Sequence, residues 1–242
     1  MTQRQTVRRL DGWTVSTAAA LGALLTVYPS NRLGAQVGYD PAHSPYHDMP
    51  RGAVTVASFG YLAGSRGSLG VGPANGLTGG VRYEVQFGAV GASLGLAYAQ
   101  GTRFVVLPAD SASKRTTGPV DDHVVLADAG FQLILTGRKT WHGFSPFVGA
   151  ALGVAVGSEL PRDTSGYKFG TKLTLMPNAG VRWYPARRLS IRSDLRVVFW
   201  KLRYPLSYRV PGADGTSVLS ITAPLEDWTA HPWATIGVGW IF

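Results

Sequence analysis

The sequence contains no cysteine, which excludes disulfide staples, thiolate metal sites, cysteine nucleophiles and the lipid-bearing cysteine of a bacterial lipoprotein. Charge is scarce too. Asp, Glu, Lys and Arg make up 15% of the 242 residues, against about 25% in soluble globular proteins. After the N-terminal segment, no stretch approaches the roughly 18 uninterrupted apolar residues that a membrane helix requires. The charge present leans basic, with a formal net charge of +9, but the cations are spread over turns, loops and single strand positions. Nucleic-acid binding would gather them on one face, interleaved with exposed aromatics, so that function class is set aside. What the sequence has in quantity is glycine, 31 residues, and aromatics at 11%. Low charge, much glycine and many rings suit a β structure whose outside does not meet water. The length is that of one all-β domain.

The first 36 residues are organised differently from the rest. Arg4, Arg8 and Arg9 lead into the apolar stretch WTVSTAAALGALLTVYP, followed by SNRLGAQ with Ala35 before Gln36. A basic start, an apolar core of secretory length and a small-residue exit predict an export signal over residues 1–35. Its removal takes away four arginines and Asp11 and lowers the formal charge from +9 to +6. Residues 36–52 are expected to be an extended periplasmic leader. His43 and His47, with Asp40 and Asp48, would suit a divalent metal on a helical turn, but Pro41, Pro45 and Pro50 oppose that helix. No metal and no cofactor is expected.

From about residue 53 one pattern repeats: a run alternating apolar and polar residues, then a turn or loop. Eight such runs fall near 53–64, 77–88, 92–107, 122–136, 145–157, 168–184, 188–204 and 227–242. Their connections alternate in length. SRGSLGVGPANG, PADSASKRTTGPVD, SELPRDTSGY and the stretch around VPGADGTS are long; GAVG, GRKTWHGF and YPARR are short. Long loops on one side and short turns on the other predict a closed antiparallel up-and-down transmembrane β-barrel of about eight strands, eight to ten at most, over residues 53–242.

The strand faces agree. Ile191, Leu195, Val197 and Phe199 share one face and Arg192, Asp194 and Arg196 the other. Val81, Tyr83, Val85 and Phe87 oppose Arg82, Glu84 and Gln86, and Ala127, Ala129, Phe131, Leu133 and Leu135 oppose Asp128, Gly130 and Gln132. Leu173, Leu175, Ala179, Val181 and Trp183 oppose Thr174, Asn178 and Arg182. The apolar face is assigned to lipid and the mixed face to the interior. Aromatics at run ends, Trp200 and Tyr184 among them, are expected in the interfacial girdles.

The last nine residues, ATIGVGWIF, place Ile236, Val238, Trp240 and Phe242 at alternate positions and end on an aromatic ring. In this the chain resembles the small outer-membrane β-barrels of Gram-negative-type bacteria, the OmpA/OmpX-like class. The resemblance covers residues 53–242 by pattern, with the terminal strand as its one motif. It implies residence in the cell outer membrane, contact with outer-membrane lipid and lipopolysaccharide, a monomeric state, and reading of the terminal strand by the barrel-assembly machinery.

Eight strands enclose a space that side chains just fill. Arg82, Glu84, Asp128, Lys172, Arg182, Arg192, Asp194 and Arg196 are therefore expected to form a bridged charge network in the lumen, since unpaired burial costs several kcal/mol per ion. That points to a structural or surface-interaction role. The alternative is a narrow anion-preferring or small-solute channel, kept open by the excess of arginine. A lipid-modifying enzyme comes third: His123 beside Asp121 and Asp122, with Ser111 and Ser113 upstream, is the best hydroxyl–imidazole–carboxylate cluster, without a recognisable nucleophile motif. No catalytic residue is assigned.

Overall fold

A computed structural model describes residues 44–158 and 163–242. The expected export signal, His43 and Asp40 lie outside these residues. Among the described residues ten strands form: β1 Tyr46–Asp48, β2 Ala53–Leu62, β3 Ala74–Phe87, β4 Val90–Val106, β5 Thr116–Ile134, β6 Lys139–Trp141, β7 Phe144–Gly157, β8 Thr171–Ala186, β9 Leu189–Arg203 and β10 Glu226–Ile241. Eight close a ring by antiparallel pairing in the order β2-β3-β4-β5-β7-β8-β9-β10, with β10 returning to β2. These eight are the runs expected from alternation, to within a few residues at each end. The other two strands were not foreseen. β1, inside the expected leader, pairs with β6, inside the turn GRKTWHGF, so the leader docks beside the short turns through Tyr46↔Trp141 and Asp48↔Lys139.

The outer face follows the period of two. Exposed residues include Phe59 and Tyr61 on β2, Leu94 and Leu96 on β4, Leu152 and Val154 on β7, and Ile236, Val238 and Trp240 on β10, followed by Phe242. Phe131 is 70% exposed and Leu173 82%, while their strand neighbours Gln132 and Thr174 are buried. Large apolar side chains outside and polar ones inside invert a soluble barrel.

Proline sits where the ladders can spare its missing N–H. Pro146 lies one residue beyond the last β5–β7 pair, Ile134↔Phe147, and Pro232 one residue beyond the last β10–β2 pair, Trp233↔Leu62. Pro177 falls in a gap of the β8–β9 ladder between Leu175↔Phe199 and Asn178↔Arg196, which share a register.

Two ring assignments are corrected. Trp200 is buried inside the barrel, because it alternates with outward Phe199; strand parity overrides a position near the strand end. Tyr184 turns inward as well, against Val54, Val56 and Ile241, and receives a hydrogen bond from Gln86 at 3.2 Å. The loop around VPGADGTS adds no strand to the last hairpin, since β9 ends at Arg203 and β10 begins at Glu226. Val210 N donates to Ser207 O at the end of a 3-10 turn, Leu206–Arg209, and the chain folds back with Leu219 N on Tyr208 O.

Candidate functional site

The interior is layered. Its middle layer holds seven of the eight charged residues singled out from the sequence. Arg82 on β3 makes a two-pronged pair with Asp128 on β5, both contacts at 2.8 Å, and donates to Ser93 Oγ on β4 at 3.0 Å. Gly95 on β4 leaves them room, since a Cβ there would stand 2.5 Å from Arg82 Nη2 and 2.6 Å from Asp128 Oδ2. Asp194 on β9 accepts from Arg192 at 3.1 Å, from Arg196 at 2.9 Å and from Thr235 Oγ1 on β10 at 2.8 Å. Glu84 on β3 pairs with Arg192 on β9 and, at 2.8 Å, with Arg182 on β8. Gln132 on β5 ties the set together, accepting from Arg182 and from Arg192. Rings cover the guanidiniums: Arg192 lies 4.3 Å and Arg182 4.8 Å from the Phe147 centroid, and Arg196 4.8 Å from Trp233.

β3 and β8 stand four steps apart in either direction around the ring of eight. The Glu84–Arg182 pair therefore spans the full diameter, and side chains close the lumen at that level. Four arginines face three carboxylates, a near balance that lowers the cost of burying each ion.

Lys172 does not join this layer. It is half-buried, with its ammonium 5.9 Å from the Phe169 centroid, near the loop end of β8. The parity of β8 turned it inward as expected, but its height places it beside Phe169, where it makes no ion pair with Glu84, Asp128 or Asp194.

Above the charges lies an apolar layer of Trp233, Trp200, Met176, Leu202, Val198 and Leu126, roofed by Val71, Phe169, Tyr167, Tyr204 and Tyr208 from three of the long loops. His231 is buried in it, stacked on Trp200 at 3.9 Å and hydrogen-bonded through Nε2 to Thr229. The roof holds a second ionic cluster that the sequence reading missed: Arg103 on β4 meets Asp122 on β5 at 3.4 Å and Asp163, in the loop after β7, at 2.6 Å, beneath the Tyr167 ring. Burial alone would raise the Asp163 carboxyl; the Ser165 hydroxyl and N–H, together with Arg103, overcome it and hold the group below the ordinary carboxylate range. The loops also clasp each other and the start of β10. Ala112 N donates to Asp214 Oδ2 at 2.7 Å, Arg115 Nη2 to Thr216 O at 2.8 Å, and Ser68 N to Asp227 Oδ2 at 2.8 Å. The one available signal was the pair of aromatic loop segments, YKF at 167–169 and YPLSY at 204–208.

The His123 cluster is not assembled as a triad. Asp122 points inward to Arg103, whereas the His123 ring stacks on Tyr98 with Nδ1 2.7 Å from its hydroxyl, and Ser111 pairs with Ser113 in the loop after β4. Asp121 is exposed. His47 and Asp48 lie on β1, and among the described residues no three His, Cys, Asp or Glu side chains group closely enough to hold a metal.

No known family model matches this sequence, and no curated protein resembles it closely enough to count as a relative. Solved structures do resemble it. Neisserial surface protein A (NspA) has 13% identity and a TM-score of 0.48, covering 78% of this chain and 97% of that one. The outer membrane protein OprG from Pseudomonas aeruginosa has 12% identity and a TM-score of 0.49, covering 82% and 99%. The N-terminal β-barrel domain of OprF, also from Pseudomonas aeruginosa, has 14% identity and a TM-score of 0.43, covering 80% and 100%. At such scores these likenesses carry no weight for function, and the fold rests on this chain's own ring of strands.

Proposed function

We propose that the protein is an exported outer-membrane β-barrel with a sealed lumen, whose strands anchor a folded platform of long loops for surface interaction. The observation that carries the reading is the diametric Glu84–Arg182 contact, backed by an aromatic layer above it. An aqueous path would have to break paired ions and then displace Trp200 and Trp233, so the anion-channel alternative loses its support. Large apolar residues facing outward on all eight ring strands favour lipid as the surroundings, because no water-soluble sheet leaves such a band uncovered. In this reading residues 1–35 direct export, the short turns face the periplasm, the long loops face outward, and Ile236, Val238, Trp240 and Phe242 serve as the lipid-facing assembly signal. Lipopolysaccharide then surrounds the loop end.

Two measurements test the reading. Purified protein in detergent should migrate differently in electrophoresis before and after boiling, as folded membrane barrels do; an unchanged band from soluble protein contradicts a membrane barrel. In planar bilayers the inserted protein should give no discrete conductance steps, and regular steps would restore the channel.

A further inference from the structure

The short-turn end carries a feature that neither the sealed lumen nor the loop platform uses. Where β1 docks on β6, the segment Asp48–Gly52 crosses the barrel mouth with Met49 buried beneath it. A cavity of about 590 Å³ opens between this segment, the β3–β4 turn and the β5–β6 turn. Among the described residues its charged walls are Arg51, Arg138 and Lys139, with Asp48 as the one carboxylate. Among the described residues no ion pair satisfies any of the three cations, although every arginine of the lumen layer has a carboxylate partner. Gly88, at φ +76°, lets the Arg138 guanidinium lie against the wall, since a Cβ there would come within 3.1 Å of its Nε.

The depth of the cavity decides its ligand. Exposed rings surround the same end of the barrel: Phe87, Trp141, Phe144, Trp183, Trp240 and Phe242. Such rings settle at the boundary between acyl chains and headgroups. Trp141 stands two residues from Lys139, and Phe87 adjoins Gly88. Cations just beyond that belt lie at the level of lipid phosphates, and an arginine fork matches two phosphate oxygens. Three cations against one carboxylate leave a surplus that fits a net anion better than a zwitterion.

We propose that this mouth binds the phosphate of an anionic glycerophospholipid from the periplasmic leaflet. The inference rests on the membrane reading above. Arg187 and Arg188, in the β8–β9 turn, carry comparable charge but line no part of the cavity, and they supply the control.

The test uses the mature protein folded in zwitterionic detergent, with bound lipid counted by native mass spectrometry. Phosphatidylglycerol, phosphatidylcholine and inorganic phosphate are the probes. One phosphatidylglycerol should be retained in preference to phosphatidylcholine, and millimolar phosphate should not displace it. The double variant Arg138→Gln, Lys139→Gln should weaken retention about tenfold or more, with Arg51→Gln weakening it less and Arg187→Gln, Arg188→Gln leaving it unchanged. Equal retention of both lipids, displacement by phosphate, or equal loss in the two double variants overturns the site. Heat-dependent migration of every sample tells the two failures apart. A shifted band without lipid preference removes the site alone, whereas an unshifted wild-type band removes the membrane reading with it.

Discussion

The middle and upper layers of the barrel interior close the same lumen by opposite means. The middle layer is built by strands alone, its ion pairs joining residues as far apart as Glu84 and Arg182 across the ring. The upper layer is built by strands and loops together: Trp200 and Trp233 come from β9 and β10, while Phe169, Tyr167 and Tyr208 descend from the connections. Each buried ion needs an opposite charge beside it, because an unpaired partner cannot be rehydrated inside the wall. Aromatic packing tolerates adjustment, because the loops above it can settle into a vacancy. The lesson is that barrel stability and loop order are held in different places and should fail separately.

The sharpest way to break the contrast is Glu84→Ala, which leaves Arg182 with no carboxylate and Arg192 with one. Loss of one member of a buried pair costs about 3–5 kcal/mol, and urea unfolding followed by circular dichroism should show it with the loops still resistant to trypsin. Trp200→Ala should cost about 3 kcal/mol in the same assay, and here the loops should be cut first, at Lys114, Lys168 or Arg209. If Glu84→Ala exposes the loops as readily as Trp200→Ala does, the two layers are one unit and the contrast fails. Gly95→Ala sharpens it further. The added methyl presses on the Arg82–Asp128 pair and should cost about 1–3 kcal/mol without changing trypsin resistance.

The smallest effect is one of pH. Burial pushes the Tyr208 hydroxyl up to about 12 from an ordinary value of 10. Its folded value lies above the unfolded one, so its contribution is complete below pH 10 and is lost as pH rises towards 12. Phenolate absorbance and trypsin sensitivity of the loops should rise together in that window, while strand circular dichroism stays constant. Loss of strand signal over the same range would contradict the separation.

How much of this was legible beforehand follows the same division. The eight ring strands and their faces could be read because a strand repeats every two residues, and one inward charge fixes the parity of its whole run. Seven lumen charges came together because parity carries them inward and the small bore leaves them no other partners. Lys172 shows what parity cannot supply, since the height of a residue along the lumen depends on strand stagger. Trp200 shows the risk of judging a ring by nearness to a strand end when its neighbour Phe199 already occupies the outer face. The roof was illegible for a plainer reason: Arg103 with Asp163, and Arg115 with Thr216, join loop or strand-end residues through contacts that leave no periodic trace. The β1–β6 pair, three residues on each side, is too short to show alternation.

The central claim is that the sheet turns apolar residues to lipid and encloses its ions. Because the chain has no cysteine, single nitroxide labels can be placed without background. Labels at Phe59, Leu94, Leu133 and Leu195, each in turn, should collide readily with oxygen and poorly with a water-soluble nickel complex in lipid vesicles, while a label at Arg196 should be shielded from both. Ready access of the nickel complex to the first four positions, or strong oxygen access at Arg196, would contradict the account.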